Sequence, residues 1–202
     1  VAARKVLTRA ESQAQTREEL LEAAERMFLE GGYHSTSIAA IAAEAGRTIG
    51  AVYSNFDNKE TLCLEVLQRR YAAEMTSLMA AMVATDGSLE ARLAAVSIWW
   101  SSLSSDFSLS VLSAEYALST IRDPEQRQAN RGAVDRFLEW GRVLLEEHVP
   151  ETEPARALEL DDAVLTACAT GIGLATGQAM GMIDAERSAA LLVTTVRLYL
   201  ER

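Results

Sequence analysis

Ser35-Thr-Ser-Ile-Ala-Ala-Ile-Ala-Ala-Glu-Ala-Gly-Arg-Thr-Ile-Gly-Ala-Val-Tyr-Ser-Asn-Phe-Asp-Asn-Lys-Glu-Thr-Leu62 reads as two short helices joined by a tight turn. On the first, Ile38, Ile41, Ala42 and Ala45 recur at i, i+3, i+4 and i+7, which is one apolar stripe of helical period. Thr36 or Ser37 supplies its N-cap, since a hydroxyl oxygen accepts from the free N–H groups of a first helical turn. Gly46 ends it, because glycine tolerates the left-handed conformation at a helix C-terminus. Thr48 can cap the following helix, whose apolar positions Val52 and Phe56 again lie four apart. This is the layout of a helix-turn-helix, in which the second helix enters the DNA major groove.

Gly46-Arg47-Thr48-Ile49-Gly50-Ala51-Val52-Tyr53, then Phe56, then Asn58-Lys59-Glu60-Thr61-Leu62, closely resembles the signature of the TetR family of transcriptional regulators. The match begins near Thr16 and is dense through Leu62, roughly a quarter of the chain. The resemblance implies a base-reading surface at Ile49, Gly50, Ala51, Tyr53 and Asn55. Tyr53, which the family uses on DNA phosphate, is otherwise an amphipathic core residue, and Lys59 is a phosphate contact or else a solvated lysine. Thr36, Ser37 and Thr48 can cap helices and donate to phosphate at once. Two positions depart from the family pattern. Arg47 replaces a residue that is normally apolar, and is either a DNA contact or a solvated turn residue. Ile49 stands where a polar or basic residue is common. Ile49 and Ala51 offer no hydrogen bonds to bases, so contact with thymine methyl groups would be their means of reading.

The chain has 202 residues, about half of them hydrophobic, enough for a sizeable core in one or two domains. The first residues are polar and basic with no apolar run behind them, so no signal peptide is expected. Cys63 and Cys168 lie on separate predicted helices without metal-binding or disulfide spacing, and a reducing cytoplasm is the expected setting. Net charge is −10, yet residues 1–17 carry +3 and residues 71–202 carry −9. DNA affinity would therefore rest on a small basic footprint and be salt-sensitive.

Taken in order, residues 1–15 form a flexible basic arm, either a plain terminus or a DNA contact through Arg4, Lys5 and Arg9. The resemblance implies a DNA-binding domain over residues 16–62, with the motif at about 37–56, and a ligand-binding and dimerisation domain over residues 63–202. Helix 1 runs from Thr16 to Glu30, buries Leu20, Ala24, Met27 and Phe28, and opens with a Thr16/Glu19 capping box. Asp57 or Asn58 caps a long helix from Lys59 to about Ala84, with Leu62, Val66 and Tyr71 inward and Glu65, Arg69 and Arg70 facing water. Asp86-Gly87-Ser88 is a break. Helices follow over about 88–105 and 106–122, and from the start signal Asp123-Pro124-Glu125 to about His148. After a turn-rich connection at Pro150–Pro154, two long helices close the chain at about 157–182 and 185–201. No stretch alternates with period two, so the fold class is all-α with about nine helices.

Residues 163–183 carry no charged side chain, long enough to span a bilayer, but their glycines, threonines and missing basic or aromatic anchors argue against it. Ala169, Gly173, Gly177 and Gly181 recur every four residues, a small-residue face suited to a subunit contact. The family resemblance implies the same, since its last two helices usually pair with their copies in a homodimer.

Trp99, Trp100, Phe107, Tyr116, Phe137, Trp140 and Met180 are either ordinary core or the lining of a cavity for a small-molecule effector. Glu115 and Cys168 are among its candidate polar groups; alternatively Glu115 pairs with Arg122 or faces solvent. Two distant histidines, no glycine-rich phosphate loop, no metal-ligand spacing and no nucleophile elbow leave no catalytic set. No cofactor, metal or membrane partner is expected. The leading expectation is a homodimeric repressor that binds a palindromic double-stranded operator and responds to an apolar ligand. The alternative is an interaction protein of the same fold that has lost specific DNA binding.

Overall fold

In the computed structural model, which describes residues 8–146 and 154–200, every regular element is a helix. They are α1 (Arg9–Gly31), α2 (Ile38–Glu44), α3 (Ile49–Tyr53), α4 (Lys59–Val83), α5 (Leu89–Ser104), α6 (Phe107–Thr120), α7 (Pro124–Glu146), α8 (Pro154–Ala179) and α9 (Ala185–Leu200). No helix of the described residues is long and apolar enough to cross a membrane.

The main core joins α1, α2, α3, the first half of α4, and α6. Leu20, Ala24, Phe28, Ile41, Val52, Phe56, Leu62 and Val66 meet there with Leu109, Leu112 and Tyr116. Each large apolar side chain so buried contributes about 1.5–3 kcal/mol against chain entropy. Further along α4, Met75, Leu78 and Met82 pack on α5. Trp100 of α5 then meets Ala189 and Leu192 of α9, and its indole N–H donates to the buried Ser188 hydroxyl at 2.8 Å. A Cβ at Gly171 would lie 3.2 Å from the Trp100 ring, so that glycine lets α8 approach α5.

Three expectations change. Helix 1 starts at Arg9, not Thr16, because Thr8 and Glu11 form the capping box and the Thr16 hydroxyl donates to the Ser12 carbonyl within the helix. Arg9 is thus helical, while Arg4, Lys5, His148 and the 150–153 connection lie outside the described residues. Of the α4 residues expected to face water, Arg69 is exposed, while Glu65 and Arg70 are half-buried on the side towards acidic α1. Glu65 pairs with Arg17, Arg69 with Glu18, and Arg70 reaches Glu25 at 3.8 Å and Asp106 at 3.1 Å. Finally, α8 ends at Ala179. Gly181 takes φ 71°, with its N–H on Gln178 O and that of Met182 on Gly177 O, so it stops the helix rather than continuing the small face.

Candidate nucleic-acid interface

The turn between α2 and α3 is fixed from both sides. Gly46 has φ 63°, and the N–H groups of Gly46 and Arg47 return to Ala43 O and Ala42 O at 3.0 and 2.8 Å. The Thr48 hydroxyl then accepts from Ala51 N at 3.1 Å and starts α3. Ser37 does the same for α2, accepting from Ala40 N at 3.1 Å, and Asn58 for α4, accepting from Thr61 N at 2.7 Å. Val52 and Phe56 anchor α3 in the core. That leaves Arg47, Thr48, Ile49, Gly50, Tyr53 and Ser54 exposed, Ile49 by 48% and Tyr53 by 56%.

Gly50 is informative because nothing inside the protein requires it. A Cβ there would meet only Thr48 Oγ1, at 3.8 Å, an ordinary contact. The space it leaves open faces outward.

Not every expected residue sits on this surface. Thr36 is 4% exposed and its hydroxyl donates to Met27 O and Gly32 O at 3.0 and 2.8 Å, which ties the α1–α2 connection to α1 and removes Thr36 from the phosphate-contact set. Asn55 is half-buried; its Nδ2 donates to Ala51 O at 2.8 Å, so its amide turns back onto its own helix. Ala51 is half-buried beside it.

The cations of this region are mostly engaged. Arg47 holds Glu19 through Nε at 2.9 Å and through a second guanidinium nitrogen, and this contact keeps the Glu19 carboxyl below its usual range. Arg26 pairs with Glu44 at 3.0 Å. Arg17 pairs with Glu65 and lies 4.6 Å from the Phe56 ring centroid. Pairs this exposed are worth about 0–1 kcal/mol each, so a phosphate could displace the carboxylate. Lys59, in the first turn of α4, rests over the Tyr33 ring at 4.2 Å.

Among the described residues, the candidate effector residues are divided between core and surface. Phe107 and Met180 are exposed. Trp100 and Tyr116 are buried core residues, and Trp99 donates to Glu74 O at 3.0 Å while packing beside Met75 and Leu78. Cys168 is half-buried, and burial pushes its thiol up to about 11. The Phe137 side chain lies outside the described parts. Glu115, expected either to pair with Arg122 or to face solvent or a ligand, instead accepts the backbone N–H of Tyr33 at 2.6 Å. Trp140 lines an open cleft of about 200 Å³ with Met75, Thr76 and Met79, between α4 and α7. The α4 residues were legible only as a Met75/Met79 pair at i, i+4, a spacing shared with any core stripe.

On α8, Ala169 and Gly173 are exposed and Gly177 is half-buried near Ile183. Leu165, Ile172 and Met180 are exposed too, Ile172 by 71%, so the open face is more apolar than its small residues alone suggest.

Residues 20–66 match the family model described as bacterial regulatory proteins, tetR family. The chain is 41% identical over 75 residues to the HTH-type transcriptional repressor BepR of Brucella suis, covering 37% of this chain and 35% of that protein. It is 38% identical over 64 residues to the HTH-type transcriptional repressor AcnR of Corynebacterium diphtheriae, covering 32% and 33%. The likeness thus spans about a third of the length of these relatives. Over its whole length the fold resembles that of a TetR-family transcriptional regulator from Streptomyces coelicolor, with TM-score 0.64 at 22% identity, covering 94% of this chain and 96% of that one.

Proposed function

Because the chain carries a TetR-family helix-turn-helix on that family's all-α architecture, we propose that it is a homodimeric repressor released from a palindromic operator by a small apolar ligand. The observation that carries the DNA reading is the outward edge of α3: exposed Ile49, Gly50 and Tyr53, flanked by the exposed caps Ser37 and Thr48. Ile49 would read thymine methyl groups, Tyr53 and Lys59 would hold phosphates, and Gly50 would let the backbone approach the groove. The division of labour follows: residues 16–62 bind DNA and residues 63–202 bind ligand and partner. Both curated relatives are named repressors, which supports that sign of regulation.

The ligand site would be the cleft of Met75, Thr76, Met79 and Trp140. Thioethers and an indole favour an apolar molecule, with one hydroxyl to orient it. Since one wall is α4, a ligand there bears on the helix that begins at Lys59. Only a ligand with different affinity for the DNA-bound and free forms can shift the balance. The open face of α8, with Leu165, Ala169, Ile172 and Gly173, would meet its copy in the partner subunit.

One observation favours the second reading, an interaction protein without specific DNA binding. Arg17, Arg26 and Arg47 are all paired with carboxylates of the chain itself. The two readings separate on selection of bound DNA from a random pool, followed by titration against salt. Enrichment of a palindrome, with Tyr53→Phe and Lys59→Ala weakening binding to all sequences alike, supports the repressor. Recovery of no sequence, with only weak and uniform binding, supports the alternative.

A further inference from the structure

Tyr33 sits in the connection from α1 to α2 and touches both α6 and the first turn of α4. Its backbone N–H donates to Glu115 Oε2 of α6 at 2.6 Å. Its hydroxyl donates to Glu60 Oε1 at 2.8 Å, and its ring lies under the Lys59 ammonium at 4.2 Å; both partners belong to the first turn of α4. The ring itself is 4% exposed and meets Tyr116 edge-on, with centroids 6.1 Å apart. Tyr116 in turn donates to Asn130 Oδ1 of α7 at 2.9 Å.

The neighbouring glycine shows that the carboxylate has a made place. Gly32 has φ 81°, and a Cβ on it would lie 2.7 Å from Glu115 Oε2. Any side chain here would be strained and would also push the carboxylate off the Tyr33 N–H. A hydrogen bond from a backbone N–H to a carboxylate is among the stronger kinds. It holds the connection, and so the ring, to a helix of the other half of the chain. A cation over an aromatic face is attracted to it, which biases the ammonium towards wherever the ring stands.

We propose that Glu115 is a positioning residue for DNA binding: it fixes Tyr33, and the Tyr33 ring holds the Lys59 ammonium where a DNA phosphate can take it. The inference rests on the reading of Lys59 as a phosphate contact and adds the residue in α6 that controls it. Any movement of α6 relative to α1 would then reach the interface through the Glu115 hydrogen bond and the Tyr116 ring contact. It would not require α3 itself to deform.

The test separates the contact from the charge in the full-length protein, using the operator recovered by selection and a random duplex, each titrated with salt. Glu115→Asp keeps the charge but draws the carboxylate back by one methylene from the Tyr33 N–H. Glu115→Gln loses the charge but keeps an acceptor oxygen in reach. Glu115→Asp should weaken binding to both duplexes by about fivefold or more, and lower the salt slope towards that of Lys59→Ala. Glu115→Gln should stay within about twofold of the parent, a difference near 0.4 kcal/mol. The double variant Glu115→Asp/Lys59→Ala should bind no more weakly than Lys59→Ala alone, because both changes remove one contact. Losses that multiply in the double variant, or a Glu115→Gln loss larger than that of Glu115→Asp, would overturn the proposal. So would unchanged binding and slope in Glu115→Asp. If Lys59→Ala itself leaves affinity and slope unchanged, the phosphate reading of Lys59 fails, and the role of Glu115 falls with it; selection of an operator would stand apart from that result.

Discussion

Gly50→Ala should move stability and function in opposite directions. In the free protein the added methyl meets no atom closer than Thr48 Oγ1 at 3.8 Å, so it fits without displacement. Gly50 lies inside α3. Alanine there lowers the entropy of the unfolded chain and favours the helix by about 0.5–1 kcal/mol, the lower end applying near a helix start. An increase of that size raises the urea midpoint by about 0.2–0.5 M for a slope of about 2 kcal/mol per M. On DNA the same methyl projects into the space that the outward edge of α3 leaves open. If the backbone approaches the groove there, a methyl-sized intrusion costs about 1–3 kcal/mol, or roughly 5- to 150-fold in affinity. Chemical denaturation and a gel-shift or fluorescence-anisotropy titration read the two effects separately. A variant that is more stable and binds DNA as tightly as the parent would refute the close-approach argument. One that is less stable would refute the claim that the protein interior leaves room for the methyl.

Other expectations follow from particular contacts. Trp100→Phe should cost about 2–4 kcal/mol, from the unpaired buried Ser188 hydroxyl and the lost ring volume; adding Ser188→Ala should return about 1–2 kcal/mol of it, and simple additivity in denaturant midpoints would contradict the pairing. Ile172→Glu, at an exposed site of the single chain, should leave the helical content intact yet give monomers in ultracentrifugation; a persisting dimer would put the partner contact elsewhere. Burial pushes the Cys63 thiol from 9.0 up to about 12. Because the folded value is raised, this stabilising contribution is full below about pH 9 and is lost as pH rises towards about 12. Iodoacetamide at pH 8.5 should therefore spare Cys63 in the native protein and modify it in urea; rapid native labelling mapped to Cys63 would count against its burial.

How much of this was legible depended on whether the deciding contact was local. The turn from Ala42 to Ala51 was, because Gly46 and Thr48 act on backbone groups within a few residues. The start of α1 was not. Thr8-x-x-Glu11 and Thr16-x-x-Glu19 both have the capping-box pattern, and what separates them is that Glu19 is held by Arg47, far along the chain. Arg70 looked solvated from its helical phase until α1 and the α6 cap supplied carboxylates around it. The aromatic residues of α5 to α7 failed for a different reason: core and cavity lining share one spacing. Trp100 and Tyr116 turned inward, Phe107 outward, and Trp140 reached a cleft. Tyr33 carried no signal at all, as its partner at Glu115 is 82 positions away and binds a backbone N–H that any residue would offer.

The continuity of α4 has a mechanical consequence. Its 25 residues, from Lys59 to Val83, extend about 37 Å at 1.5 Å per residue. Its far end packs on α5 and its near end on α1, so a tilt at one end would be magnified at the other. A tilt of about 5° at the far end carries Lys59 through about 3 Å, a full hydrogen-bond length. In a two-fold pair the separation of the two ends changes by up to twice that. On the proposed reading, a ligand between α4 and α7 would need only a wedge of a few degrees to put a phosphate out of reach of Lys59.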